Sequence, residues 1–205
     1  TISLPLMNIN FFNTNIEINK ELDKLDFFVL DFCSLLNKLN INHVIISGYV
    51  SILFGRSRLS EDIDIFIEEV DYFNFQKLWK EVRISFDCIN AQNSNEAYYS
   101  YLLKKTSIRF SRKNEFIPNI ELKFPKNELD IWTLENKRKI IFNKNILYIS
   151  SLELQIPFKL LLGSDKDIED ARYLYSITKK HLNLSLFNRF IKELGVEKAF
   201  NKYLK

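Results

Sequence analysis

The run Glu61-Asp62-Ile63-Asp64-Ile65-Phe66-Ile67-Glu68 alternates strictly between apolar and polar or aromatic positions. Successive side chains of a strand point to opposite faces, so Ile63, Ile65 and Ile67 share one side while Asp62, Asp64 and Phe66 share the other. This period admits a strand and no helix, and it places two carboxylates on one face of a sheet. The preceding segment has a matching logic. "HVIIS", His43 to Ser47, reads as a short apolar strand broken by Gly48. "YVSILF" is apolar enough for a short buried helix ending at Gly55, and Arg56 and Arg58 follow on the loop back to the acidic strand.

Residues 18–39 carry Leu22, Leu25, Phe28, Val29, Phe32, Leu35, Leu36 and Leu39 at three- and four-residue spacing and predict a helix. Asp71 is placed to cap a second helix over "YFNFQKLWKEV". "ISFDCINA" reads as a strand, "NEAYYSYLLKK" as helical, and "TSIRFSR" with "PNIELKFP" as a strand pair. Residues 126–150 are mixed, with a hairpin around Asn143-Lys144-Asn145. Beyond them the pattern is all helix. Ser150 with Glu153 has the spacing of a capping box, and Pro157 predicts a kink or a later start to that helix. Gly163 ends it, and Ser164 with Asp167 opens the next. The expected fold class is α+β: a mixed sheet with flanking helices over residues 1–150, then a helical lobe over 151–205 packed against it. Four glycines and four prolines in 205 residues leave no room for repeats or long linkers.

A hydrophobic content of 46% with 27% charged residues is that of a soluble globular chain. The net charge of +3 permits a local basic patch without announcing a nucleic-acid binder. Cys33 and Cys88 do not make a disulfide framework, so a reduced, cytoplasmic protein is expected. No run approaches the roughly 18 apolar residues of a membrane span, and no signal peptide is evident. The sole methionine is Met7, so residues 1–6 read as upstream sequence or an added remnant.

Asp62 and Asp64 have backbones about 6.5–7 Å apart, which suits two carboxylates converging on one cation or a pair. Magnesium takes carboxylates together with substrate phosphates rather than a full protein cage. The helix start at Gly48 exposes backbone N–H groups that favour phosphate, Ser47 or Ser51 adds a hydroxyl, and Arg56 and Arg58 offer forks for further phosphate oxygens.

Gly48 through Asp64 resembles the motif of the nucleotidyltransferase superfamily that includes DNA polymerase β, in particular its small microbial members. Those carry two small residues, a short helix, Gly-x-x-Arg-x-Thr and Asp-Ile-Asp. Gly48, Gly55, Arg58, Asp62 and Asp64 match, Ser60 stands for the threonine, and Tyr49 stands where a second glycine is common. The resemblance implies a third carboxylate on a later strand. Glu121 in "NIELKF" is the candidate, with Asp130 and Asp87 as rivals. "KLLLGSDKDIEDARYL" resembles a segment of the toxin-like nucleotidyltransferases related to the AbiEii group, which implies that Lys159 or Lys166 faces the nucleotide phosphates. There, Asp167 reads as the capping partner of Ser164, and Asp170 as a residue that holds a lysine or arginine.

The implied activity is transfer of NMP from an NTP to a hydroxyl on a tRNA end, a protein or a small molecule. It would use magnesium, two ions, or manganese in its place, bound by Asp62, Asp64 and Glu121. The chain would act as a toxin beside an antitoxin, with no membrane partner. The alternative is a nucleotide-binding or regulatory protein of the same fold without turnover. His43 and His181 have no ligand spacing around them and read as structural. Lys104, Lys105, Arg109, Arg112 and Lys113 read as a solvated basic face, with an RNA-contacting strip as the alternative.

Overall fold

The computed structural model describes residues 7–205; residues 1–6, read above as upstream sequence or a remnant, lie outside the described residues. In chain order the elements are β1 (Asn8–Phe11), β2 (Asn15–Asn19), α1 (Lys24–Lys38), β3 (His43–Ile46), α2 (Gly48–Leu53), β4 (Asp62–Ile67), α3 (Tyr72–Val82) and β5 (Phe86–Cys88). Next come α4 (Ser94–Glu96), continued by π and 3-10 turns to Lys104, then β6 (Ile108–Arg112), β7 (Asn119–Lys123) and α5 (Glu128–Glu135). The chain closes with β8 (Arg138–Phe142), β9 (Asn145–Ile149), α6 (Leu152–Leu162), α7 (Asp165–Thr178), α8 (Leu184–Glu193) and α9 (Glu197–Tyr203).

The strands form one mixed sheet in the order β1-β2-β8-β9-β3-β4-β7-β6-β5. β4 runs antiparallel to β3 and parallel to β7, while the hairpin β8–β9 is wedged between β2 and β3, parallel to each. The isoleucine face of β4 meets the main core. Ile63, Ile65, Ile120, Leu122, Ile108 and Phe110 are buried there with Phe28, Phe32 and Leu36 of α1 and Phe75 and Leu78 of α3. Phe32 meets Phe86 edge-on at 5.3 Å between ring centroids, and truncating such a residue costs about 3–5 kcal/mol. The opposite face is covered only in part: Val44 and Phe66 pack under Leu134 of α5, while Asp62 on that face stays exposed. The fold is thus α+β, a mixed sheet with flanking helices followed by a helical segment.

Two local expectations are corrected. Residue 18 does not begin a helix: residues 8–19 form the hairpin β1–β2, with Ile16 and Ile18 buried in the strand period. The helix starts after Asp23, whose side chain accepts from the Asp26 N–H while Asp26 accepts from the Asp23 N–H. That reciprocal cap sets the boundary that the leucine spacing alone blurred. At α6 the N-cap is Ser151 rather than Ser150, and no side chain caps it. Ser150 instead donates to Gln155, and Glu153 accepts from the Asn183 N–H. Pro157 lies inside α6 without delaying its start. Its missing N–H leaves one carbonyl, that of Glu153, without a helical partner, while Leu154, Ile156, Pro157 and Leu160 are all buried.

Candidate functional site

β4 and β7 place the acidic residues. Their parallel register sets Asp62 beside Asn119, Asp64 beside Glu121 and Phe66 beside Lys123. In-register neighbours share a face, so Asp62, Asp64 and Glu121 form a triangle of carboxylates on the thinly covered side of the sheet. Two of the three hold a cation. Lys123 Nζ lies 2.6 Å from Asp64 Oδ1. Arg109 Nη2, next along on β6, lies 2.5 Å from Glu121 Oε1, and the Ser107 hydroxyl donates to the other oxygen at 3.4 Å. Asp62 has no salt bridge among the described residues.

The turn from β3 into α2 is held from two sides. Ser47 has φ +65° and ψ −134°, a conformation that L residues adopt only under constraint. Its carbonyl accepts from Gln155 Nε2 at 2.9 Å, and Gln155 accepts from Ser150 at 2.6 Å. Gln155 therefore fixes the geometry of the turn from α6. Nothing in its sequence neighbourhood marks it, since its partner lies 108 residues away. No side chain caps α2, so its first N–H groups remain available. The Arg58 guanidinium lies close over Gly48: a Cβ there would stand 2.9 Å from Arg58 Nη2. Tyr49 does not obstruct the turn. Its side chain is fully buried behind the sheet, donating at 2.8 Å to Asp26, which also pairs with Lys20 at 2.8 Å. Burial, then the Asp26 charge and hydrogen bond, push the Tyr49 hydroxyl well above its ordinary pKa.

Arg56, Arg58 and Lys159 converge on one buried carboxylate, Asp170 of α7. Arg56 pairs with Oδ1, Arg58 with Oδ2 at 2.5 Å, and Lys159 with Oδ2 at 3.0 Å. Lys159 also reaches Asp167 at 2.6 Å. Burial raises the Asp167 pKa, but hydrogen bonds from Lys159 and Ser164 and the charges of Lys159 and Arg58 outweigh it, leaving this carboxyl below its ordinary value. Ser164 caps α7 by accepting from the Asp167 N–H. Arg56 further donates to the Lys166 carbonyl, and Tyr173 to that of Phe54, so α7 is tied to the loop after α2 at three points.

A cavity of about 340 Å³ opens between this face and α5 and α6, lined among others by Ser47, Asp64, Lys123, Asp130, Gln155 and Lys159. It brings Asp64 and Lys159 into one wall system. Other candidates lie apart. Lys166 is exposed and does not line the cavity; Ser51 is buried with its hydroxyl unpartnered; Asp87 is taken by Arg83 at 2.8 Å. Asp130 lines the cavity but accepts from the Lys126 N–H and heads α5, away from the β4–β7 row. On the basic face, Lys105, Arg109 and Arg112 are paired with Glu69, Glu121 and Asp31. His43 is buried, and burial lowers its pKa to about 4.

Among the described residues no three acidic, histidine or cysteine side chains form a ready-made metal cage. The donor set nevertheless suits a hard cation that completes its shell with phosphate and water: carboxylates alone, on adjacent strands, with Asp62 open to solvent. Among the described residues no helix is long and apolar enough to cross a membrane.

No family model matches the sequence, and no curated protein does. Solved structures share the architecture. An antigenic nucleotidyltransferase-like protein from Paracoccidioides brasiliensis is 19% identical with a TM-score of 0.54, the match covering 89% of this chain and 92% of that one. ANT(2'')-Ia, in a crystal structure with adenylyl-2''-tobramycin, is 10% identical with a TM-score of 0.51, over 82% of this chain and 97% of its own. The likeness is one of fold, and it runs nearly the full length of both neighbours.

Proposed function

We propose that this chain is a nucleotidyltransferase that moves a nucleoside monophosphate from an NTP to a hydroxyl acceptor. The observation that carries the reading is the register of β4 and β7, which sets Glu121 beside Asp64 and leaves Asp62 on the same face. Magnesium held by Asp62 and Asp64 together with Glu121 would supply charge neutralisation for the phosphates. The chain's own residues do the rest. Glu121 accepts the proton of the acceptor hydroxyl, whose oxygen attacks the α-phosphorus as the bond to pyrophosphate breaks. Arg58, with Nε given to the Leu59 carbonyl and Nη1 to Asp170, has Nη2 beside Gly48, where it meets phosphate at the start of α2. Lys159 stands on the α6 side of the cavity that Ser47 and Asp64 also line. In this reading residues 1–150 and 151–205 act as two lobes around a cleft, in a cytoplasmic protein.

For the acceptor, a small hydroxylated molecule comes first. The cavity beside Asp64 is small-molecule sized, and the fold neighbour ANT(2'')-Ia has been crystallised with adenylylated tobramycin. A tRNA end or a protein side chain comes second, and the role of a toxin with an antitoxin partner rests on the resemblance of the Lys159–Asp170 segment alone. Binding without turnover is favoured by one feature, the occupation of Asp64 and Glu121 by Lys123 and Arg109.

Thermal melting tests the site. Millimolar magnesium with an NTP is expected to raise the Tm of the wild type by mass action. Asp64→Asn abolishes that rise while the unliganded variant stays folded. An unchanged rise in the variant sinks the assignment. Pyrophosphate release with hydroxylated acceptors then separates turnover from binding.

A further inference from the structure

We propose that Lys123 and Arg109 are resident cations of the carboxylate face that together take the place of one divalent ion, so that the protein loads a single metal there rather than two. The inference rests on the nucleotidyltransferase reading and concerns how that site is charged.

Lys123 is not a loose surface lysine. It sits one row beyond the Asp64–Glu121 pair, beside Phe66 in the β4–β7 register. Its ammonium is 2.6 Å from Asp64 Oδ1 and 5.6 Å from the centre of the Phe66 ring, and only 21% of its side chain is exposed. The stem is thus laid along the sheet and the charge is delivered to the carboxylate from the cavity side. Arg109 does the same for Glu121 from the other flank, at 2.5 Å. Asp62, at the open end, is the one carboxylate of the three without a salt bridge among the described residues.

The charges decide the count. Asp62, Asp64 and Glu121 bear −3; two divalent ions would bring a bare set to +1, since −3 + 4 = +1. With Lys123 and Arg109 in contact the face starts at −1, and one divalent ion brings it to the same +1. A second ion would have to join a face already at +1 and would raise it to +3 before any nucleotide arrived, with like charges already in contact with its ligands.

Manganese binding in the presence of a non-hydrolysable NTP analogue tests this, read by the electron paramagnetic resonance of free Mn2+. The wild type is expected to bind one Mn2+ per chain, and Lys123→Met with Arg109→Met to bind two. Lys123→Met alone should tighten Mn2+ about tenfold, the scale of a unit charge across partly screened solvent. Lys123→Arg should restore the wild-type affinity, which a merely structural role for the methylene stem would not require. Two ions on the wild type, lost in Asp64→Asn, would overturn this inference and leave the nucleotidyltransferase site intact. Unchanged count and affinity in both Met variants would also overturn it. No Mn2+ on any variant would remove the metal site and this inference together.

Discussion

Asp64 and Asp170 are both aspartates held by cations, in opposite surroundings. Asp64 lies at the rim of a cavity, with 18% of its side chain exposed and a single lysine from the neighbouring strand. Asp170 is fully buried and holds three cations, two from the loop after α2 and one from α6. A pair at the rim of a cavity contributes less to stability than one fully withdrawn from water. A buried carboxylate with converging cations is costly to break, because removal strands charges away from water. The first cluster therefore keeps its aspartate within reach of a ligand in the cavity, whereas the second fixes where Arg56, Arg58 and Lys159 stand. Positioning and ligand contact are assigned to different aspartates.

The sharpest way to break the contrast is Asp170→Ala. It leaves Lys159, 3% exposed, and two arginines without their common anion. A loss of about 3–5 kcal/mol in chemical denaturation is expected. A loss below about 1 kcal/mol would show that the cluster is as dispensable as the rim. Glu121→Gln should do the reverse. Its partner Arg109 is 48% exposed, so stability should change by less than about 1 kcal/mol. Transfer should fall by about 100-fold or more with nucleotide binding retained, measured as turnover against Tm shift. If Asp130→Asn shows that pattern and Glu121→Gln does not, the base lies on α5. The smallest effect concerns acid. Asp167 has a folded pKa below its unfolded one, so its contribution is complete above the unfolded value of about 4 and fades as pH falls through the folded value. Asp167→Asn should flatten that limb of the stability profile, at a cost near neutrality of about 1 kcal/mol.

The carboxylate row was legible because its signal is local. Strict alternation over Asp62–Ile67 and the lone acid between Ile120 and Leu122 each fix a face, and the β4–β7 register aligns them. The cluster around Asp170 was legible only in part. The sequence suggested that Asp170 holds a lysine or arginine, but its arginine partners are 112 and 114 residues away, and no local pattern names them. Gln155 escaped for the same reason. The hairpin at residues 8–19 was missed because apolar spacing further along α1 continues smoothly back across its cap, while Asn8, Asn10, Asn15 and Glu17 alternating with Ile9, Phe11, Ile16 and Ile18 carried the period-two signal. Ser150 misled because a capping-box spacing fits two adjacent serines equally well, and tertiary bonding to Gln155 decided between them.

The wedge made by β8 and β9 has a bearing on how the chain reaches this state. Until Arg138–Ile149 emerges from synthesis, β2 and β3 cannot be joined, since each pairs with a strand of that hairpin and not with the other. The growing chain therefore carries two incomplete sheets with apolar edges at Ile16, Ile18 and Ile45. Such long-range parallel pairings close late, after the loop entropy of more than a hundred intervening residues has been overcome. The tight turn at Asn143 and Lys144, both with positive φ, makes the wedge a local unit that can form first and insert whole. A chain ending before Arg138 would keep both edges open and associate through them.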